Sequence, residues 1–294
     1  MLLIHRSVGI HDGTFHADEV TACALLHLFD LIDSDKIRRT RDSDTLSQCE
    51  YVCDVGGIYD PDKKLFDHHQ AEYKGKLSSA GMILLYLKDT GLLSLQDYNF
   101  FNNSLILGVD AHDNGVGPLL PGVCTYSQLI SNFTSIKYDS LPETQYQAFM
   151  EAFHFAYSHL YRLWQRHKYV QSCKETVREV MQQMQECLVF EHSIPWMESF
   201  FELDGANHPA KFLIMPSGDH WKLRGIPPTL RQSMQVRIPL PEEWAGHLNT
   251  ELKEITKISG AIFCHKERFI SVWKTKEDAL EALKIVLKIQ ESTS

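Results

Sequence analysis

Residues 66–70 read FDHHQ, an aspartate followed by two adjacent imidazoles at the end of the short apolar run KLF. Neighbouring side chains on a strand point to opposite faces, so a strand continuing here would send the two rings apart. A solvated loop accounts for such a pair, and so does a metal site. His11, His16 and Asp18 lie in HDGTFHADE, Asp54 in CDVGG, and Asp110 in VDAHDNG, with Asp113 following the same apolar run. Taken singly, each cluster has a plain structural explanation. HDGTFHADE reads as a helix start whose acids suit the positive end of the helix dipole, DVGG as a turn, and VDAHDNG as an Asx-turn loop. Taken together, they make a donor set. Imidazole nitrogens and carboxylate oxygens bind divalent transition ions, and carboxylate-rich mixtures suit Mn²⁺ or Mg²⁺. Two ions about 3.5–4 Å apart need a bridging carboxylate and several terminal ligands. His11, His16, Asp18, Asp54, His68 and Asp110 supply that number. The chemistry such a centre performs is activation of water against phosphorus, with the ions clamping the transferring oxygens.

The surrounding elements must bring these residues together. LLIHRSVGIH reads as a strand, and from Asp18 the spacing turns helical, with Val20, Ala24, Leu25 and Leu28 on one face. KIRRTRD and CEYVCDVGG are further strands, the second ended by its Gly-Gly turn. KLFDHHQ, after the YDPDK turn, reads as the outer strand of a short hairpin. LSSAGMILLYLKDTG starts a helix capped by Ser78 or Ser79 and stopped at Gly91. FFNNSLILGVDAHDNG reads as an apolar segment ending in a polar loop at Asp110. Strand, loop and helix in alternation give a parallel sheet, and in open α/β sheets sites collect outside the carboxyl ends of the strands.

Residues 142–190 lack glycine and, past Pro142, proline, and aromatics recur at 146, 149, 153, 157, 161 and 164, the spacing of a buried helical stripe. Beyond it, prolines punctuate the short strand-like runs KFLIMPS, SMQVRIPL and GAIFCHKERFISVW, and KEDALEALKIVLKIQ closes as a helix. The expected architecture is α/β: a mostly parallel sheet domain over 1–140, a helical connector over 141–190, and a smaller α+β domain over 191–294 that folds over the site and selects substrate.

Of 294 residues, 44% are hydrophobic and 23% charged, an ordinary balance for a globular chain with a full core. The net charge of −9 leaves no basic surplus for non-specific binding to long nucleic acid. Seven dispersed cysteines without a CxxC pair suggest reduced thiols and a cytoplasmic setting. No run approaches the roughly 18 apolar residues of a membrane span, and the N-terminus lacks the pattern of a signal peptide.

The order of these motifs resembles the DHH phosphoesterase superfamily, which includes RecJ-type exonucleases, oligoribonucleases and manganese pyrophosphatases. Within it, IHDGTFHADEVTACALL, RTRD, DVGGIYDP, FDHHQ, VDAHDNG, WKLRGIPP, RIPLPEEWAG and GAIFCHKERFIS resemble the melanocyte-proliferating-gene family, UPF0160, long described as metal-dependent protein hydrolases. The resemblance implies two divalent ions, Mn²⁺ or else Mg²⁺, held by His11, His16, Asp18, Asp54, His68 and Asp110, with Asp54 bridging and Asp113 the alternative to Asp110. It implies that Asp67 orients a histidine and that His69 faces the phosphate as donor or general acid. It implies a 3′–5′ exonuclease on short RNA or a nucleotide phosphatase. His265, Arg268, Arg224, Ser78 and Ser79 are the candidate substrate-binding residues, Lys266 adds charge, and Trp221 could stack on a base. A second copy of the chain is a candidate partner. One departure stands out: where the family continues FIGG, this chain has Phe269, Ile270, Ser271 and Val272. If glycine there admits a phosphate, β-branched Val272 obstructs it. Hydrolysis of a peptide or amide bond, and a non-catalytic binding module, are the rival readings.

Overall fold

The computed structural model describes residues 2–117, 120–137 and 140–291. The chain forms two compact units, Met1–Gln165 and Arg166–Ser294.

The first unit is built on a sheet of β1 (Ile4–Ile10), β2 (Ile37–Arg39), β3 (Cys49–Cys53), β4 (Tyr59–Asp60) and β5 (Leu65–Phe66), in the order β2-β1-β3-β5-β4. The first four of these in space are mutually parallel, and only the edge strand β4 runs antiparallel to its neighbour. Consecutive residues Ser7 to Ile10 of β1 and Tyr51 to Cys53 of β3 are all buried, the pattern of strands covered on both faces. The helix α1 (Ala17–Leu28) is buried from Ala17 through Leu26, and packs beside α3 (Ser79–Asp89). The short α2 (Ser43–Leu46) is capped by Asp42, whose side chain accepts from Thr45 N–H.

Two expectations change here. KLFDHHQ is not an outer strand: β5 lies inside, parallel to β3, with β4 at the edge. FFNNSLILGVDAHDNG is helical throughout most of its length, running as α4 (Leu95–Phe101), a π-helical segment Asn102–Ile106, and α5 (Leu107–Asp113). The π turn breaks the 3.6-residue apolar period, so the run has no clean helical signature. Short helix α6 (Tyr126–Ser131) follows, with a Thr125–Gln128 capping box.

A single helix, α7 (Pro142–Met181), spans 40 residues, and the division between units falls inside it rather than at either end of a separate connector. Its stripe in the first unit consists of Phe149, Ala152, Phe153, Ala156 and Leu160, all fully buried; Tyr161 is exposed. Each fully buried aromatic or leucine contributes about 1.5–3 kcal/mol of apolar transfer.

The second unit holds β6 (Cys187–Val189), α8 (Met197–Glu202), β7 (Phe212–Ser217), β8 (His220–Gly225), α9 (Asn249–Thr256), β9 (Ala261–Cys264), β10 (Ile270–Trp273) and α10 (Lys276–Glu291). Its sheet runs β6-β7-β8-β10-β9, antiparallel except for β6 with β7. GAIFCHKERFISVW is two strands, β9 and β10, joined by a turn. SMQVRIPL forms no strand: Arg237 instead ties the segment to the carbonyls of Gly205, His208 and Ala210. No helix among the described residues is long and apolar enough to cross a membrane.

Candidate metal centre

Three neighbouring parallel strands end at one edge, and a candidate residue follows each directly. His11 follows β1, Asp54 follows β3, and Asp67 follows β5. His68 and His69 continue from Asp67, and α1 brings His16, Asp18 and Glu19 to the same edge. Residues far apart in sequence meet because parallel strands share an end.

Asp54 lies among three imidazoles. Its Oδ2 is 3.2 Å from His11 Nε2, and its Oδ1 is 3.3 Å from His68 Nε2 and 3.4 Å from His69 Nδ1. The backbone of Asp54 is left-handed, at φ 60°. That conformation costs a non-glycine residue on the order of 1 kcal/mol, and aspartate tolerates it better than most. The next turn is set by Asp67, whose Oδ2 accepts from Gly57 N–H at 2.6 Å.

On the far side of Asp54, the carbonyl of Asp12 lies 2.8 Å from His11 Nδ1. A carbonyl only accepts, so Nδ1 carries the hydrogen and Nε2 faces outward. Nε2 there meets Asp54 Oδ2 and, at 3.0 Å, Glu19 Oε1. A lone pair facing two carboxylates needs a cation, either a proton or a metal, between them. Burial alone would lower the affinity of His11 for a proton, but Asp54 and Glu19 outweigh it and raise its pKa to about 10.

His68 Nε2 lies 3.3 Å from Asp54 Oδ1, 3.2 Å from Asp113 Oδ2 and 3.8 Å from Asp18 Oδ2. Asp18 is almost fully buried, and neither of its oxygens has a hydrogen-bond partner; Asp54 Oδ1 and His68 Nε2 lack partners too. Burial pushes the Asp18 carboxyl well above its usual range, and the neighbouring acids Glu19, Asp54 and Asp113 push it further. Burial also favours the neutral form of Asp54, yet the imidazoles of His11, His68 and His69 overcome it and hold Asp54 below the ordinary carboxylate range. A buried unpaired carboxylate costs several kcal/mol. Three donor groups result, each with ligand atoms within 4.8 Å of one another: His11, His16, Glu19 and Asp54; Asp54, His68 and His69; and His16, Asp18 and Asp113. Asp54 is common to the first two and His16 to the first and third. Imidazole nitrogen with carboxylate oxygen fits a divalent ion such as Mn²⁺ or Mg²⁺.

Asp110, expected as a ligand, lies elsewhere. It sits within α5, one helical turn before Asp113, and Ser78 N–H and Oγ–H both donate to its Oδ1, at 3.0 and 2.7 Å. Asp113 takes the place beside His68. Ser78 and Ser79, expected at the substrate, are fully buried: Ser78 holds Asp110, and Ser79 Oγ–H donates to the Phe66 carbonyl. Glu19 is the residue that sequence reading left at the helix dipole alone. It is fully buried, both its oxygens accept from His16 N–H at 2.9 and 3.0 Å, and it reaches His11 as well. The signal was available as the glutamate of a capping box, but with histidine in place of the usual serine or threonine.

His69 is 63% exposed and lines the cleft, while Asp67 is buried beneath it and accepts at Oδ1 from His69 Nδ1, 2.8 Å away, and from His69 N–H. The orienting role expected of Asp67 therefore has its geometry. The cleft above these residues has a volume of about 760 Å³, with Arg41, Gly56, Gly57 and Gln70 on its walls.

Arg224, His265 and Arg268 belong to the second unit. His265 packs against Phe269, with ring centres 4.4 Å apart and the rings tilted by 49°, and Arg224 lies over the same Phe269 ring. Arg224 Nη2 donates to the Ser233 carbonyl while its Nε is buried without a partner, and burial lowers its pKa. Trp221 is half-buried against the core of its unit, under Lys276. Ser271 and Val272, at the positions where the motif leads to an expectation of glycine, are regular residues of β10 paired with Leu223 and Lys222. Ser271 is fully buried and accepts from Trp273 Nε1, so it is part of the strand's packing.

Residues 7–287 match the model of an uncharacterised protein family, UPF0160. The chain is 51% identical over 287 residues to the MYG1 protein of Chlamydia muridarum, covering 98% of both chains. It is 31% identical over 335 residues to the MYG1 protein C694.04c of Schizosaccharomyces pombe, covering 97% of this chain and 98% of that one. It is 29% identical over 330 residues to the MYG1 exonuclease of Homo sapiens, covering 97% of this chain and 87% of that one. Among solved structures, RecJ from Thermus thermophilus in complex with Mn²⁺ aligns with a TM-score of 0.29 at 12% identity, over 98% of this chain and 52% of that one.

Proposed function

The chain belongs to the UPF0160 family, and on that premise we propose that it is a metal-dependent phosphoesterase, a 3′–5′ exonuclease acting on short RNA. The human relative bears the name exonuclease. The observation that carries the reading is Asp18: a buried carboxylate with both oxygens unpartnered, beside a His68 nitrogen equally without a partner. A bound cation would relieve the cost of such a pocket.

His11, Glu19 and Asp54 would hold one ion, and Asp54, His68, Asp18 and Asp113 the other, with His16 between them. When bound, two divalent ions supply an activated water at neutral pH and neutralise charge on a phosphoryl group. The chain's own groups do the rest. Asp67 locks the His69 ring through Nδ1–H, so Nε2 points into the cleft, placed to give a proton to the leaving oxygen. Gly56 and Gly57, both at positive φ, leave part of the cleft lining without side chains. Carboxylates and imidazoles together favour Mn²⁺ or Mg²⁺.

The test is hydrolysis of a 5′-labelled short RNA with Mn²⁺, beside Asp54→Ala. Laddering from the 3′ end, abolished by chelation and by the variant, is the expected result. Intact RNA with a protein that has taken up Mn²⁺ would overturn the nuclease assignment.

A further inference from the structure

We infer that Arg41 is the anchor for the substrate's phosphate, held in reserve by Asp12 until substrate arrives; the inference rests on the phosphoesterase reading above. The metal cleft is walled by His11, His16, Asp54, Asp67 and other acidic or neutral groups, and among its described lining residues Arg41 carries the one permanent positive charge. An anionic substrate entering a cluster of carboxylates needs such a group in addition to the ions.

The position of Arg41 follows from the same sheet edge that builds the metal site. It stands two residues past the end of β2, the strand beside β1. Its backbone lies between two fixed neighbours: Thr40 N–H donates to the Ile10 carbonyl at 2.8 Å, and Asp42 caps α2. Arg39, one residue before Thr40, donates to the carbonyls of Gly13 and Gln145 and lies over the rings of Phe15 and Phe149. Arg39 is a positioning residue; Arg41 is the long side chain that extends from this fixed base.

The guanidinium of Arg41 is engaged only loosely. Nε lies 3.2 Å from Asp12 Oδ1, and the two side chains are 64% and 59% exposed. A solvated pair of this kind is weak and exchangeable. Among the described residues the terminal nitrogens of Arg41 make no hydrogen bond, so the planar fork is available for two parallel bonds to phosphate oxygens. Asp12 also gives its carbonyl to His11 Nδ1. One residue thus orients a metal-facing imidazole through its backbone and holds the anchor through its side chain.

The experiment compares wild type with Arg41→Gln, Arg41→Lys and Asp12→Asn. Three quantities are read: anisotropy of a fluorescein-labelled tri-ribonucleotide with Ca²⁺, KM and kcat on the same RNA with Mn²⁺, and Mn²⁺ affinity by calorimetry. Arg41→Gln should weaken RNA binding and raise KM roughly 10- to 100-fold, the loss of a charge-assisted bidentate contact. It should leave kcat within about threefold and Mn²⁺ affinity within about twofold. Arg41→Lys should recover part of the binding, since charge returns without the fork. Asp12→Asn should tighten RNA binding by a few fold. If the wild type cleaves RNA and Arg41→Gln leaves KM and anisotropy unchanged, the anchor is wrong and the phosphoesterase reading survives. If Arg41→Gln instead lowers Mn²⁺ affinity as much as RNA affinity, the residue supports the fold of the site and the anchor is again wrong. If wild type takes up neither Mn²⁺ nor RNA, both readings fall together.

Discussion

Asp54 Oδ1 stands 3.3 Å from His68 Nε2, and neither atom has a hydrogen-bond partner among the described residues. The two atoms are near enough to bond and are not aligned to do so. Neighbouring ligands about 2.1 Å from one octahedral ion stand about 3.0 Å apart. The separation therefore suits two groups that share an ion better than two groups that share a hydrogen. The other oxygen of Asp54 stands 3.2 Å from His11 Nε2.

Asparagine at position 54 would keep the size of the side chain and lose the charge that two ions share. Asp54→Asn should reduce Mn²⁺ affinity by more than the 10- to 100-fold typical of an outer-sphere partner. RNA cleavage should fall to the level of the chelated wild type. Calorimetry with Mn²⁺ and a single-turnover cleavage assay check both; unchanged Mn²⁺ affinity would remove Asp54 from the ligand set.

Glu19 has two roles that substitution can separate. Glutamine can still accept from His16 N–H and so cap α1. It cannot supply the negative charge facing His11. Glu19→Gln should keep the helix content and leave metal-free unfolding within about 1 kcal/mol of wild type. Its Mn²⁺ affinity should drop about 10- to 100-fold. Circular dichroism, urea titration and calorimetry on one preparation separate the two roles.

Much of the site was legible before the structure because its residues follow strands at breaks in the apolar pattern. Asp54 ahead of Gly56 and Gly57, and Asp67 to His69 after KLF, are signals of that kind, and both lie at the expected edge. The placement of Asp110 was not legible. An apolar run ending in VDAHDNG fits a strand or a helix, and the π turn at 102–106 hides the helical period. On a helix, Asp110 and Asp113 are one turn apart, and which one faces His68 depends on tertiary packing with α3 that no local pattern records. The inner position of β5 is a long-range pairing with β3 and was unreadable for the same reason. SMQVRIPL alternates like a strand, yet Arg237 anchors it to the carbonyls of another loop.

The two aspartates of α5 should respond differently to truncation. Asp113→Ala should abolish RNA cleavage while shifting metal-free stability little, since the described groups that Asp113 faces are His68, His16 and other acids of the site. Asp110→Ala should destabilise the fold by about 1–3 kcal/mol, because buried Ser78 loses the acceptor for its N–H and hydroxyl. Folded Asp110→Ala protein should still bind Mn²⁺. Parallel urea melts and cleavage assays distinguish the pair, and the reverse pattern would return Asp110 to the metal.

Metal should stabilise the whole first unit. Without ions, Asp18, Glu19, Asp54 and Asp113 repel one another in a buried space. A ligand bound only by the folded state at 100 times its Kd adds about 2.7 kcal/mol. For a folding unit of this size that raises Tm by several degrees, about 2–4 °C for each kcal/mol. Thermal melts with Mn²⁺ and after chelation should show the rise and its reversal, and Asp54→Asn should show neither.

The most direct test is anomalous diffraction at the manganese edge from crystals of the protein grown with Mn²⁺. The account predicts two peaks, about 3.5–4 Å apart, one on each side of Asp54: one against His11 and Glu19, the other against His68, Asp18 and Asp113. Density with no peak at Asp54, in crystals that hold Mn²⁺ elsewhere, would contradict the dimetal centre and leave FDHHQ as a loop.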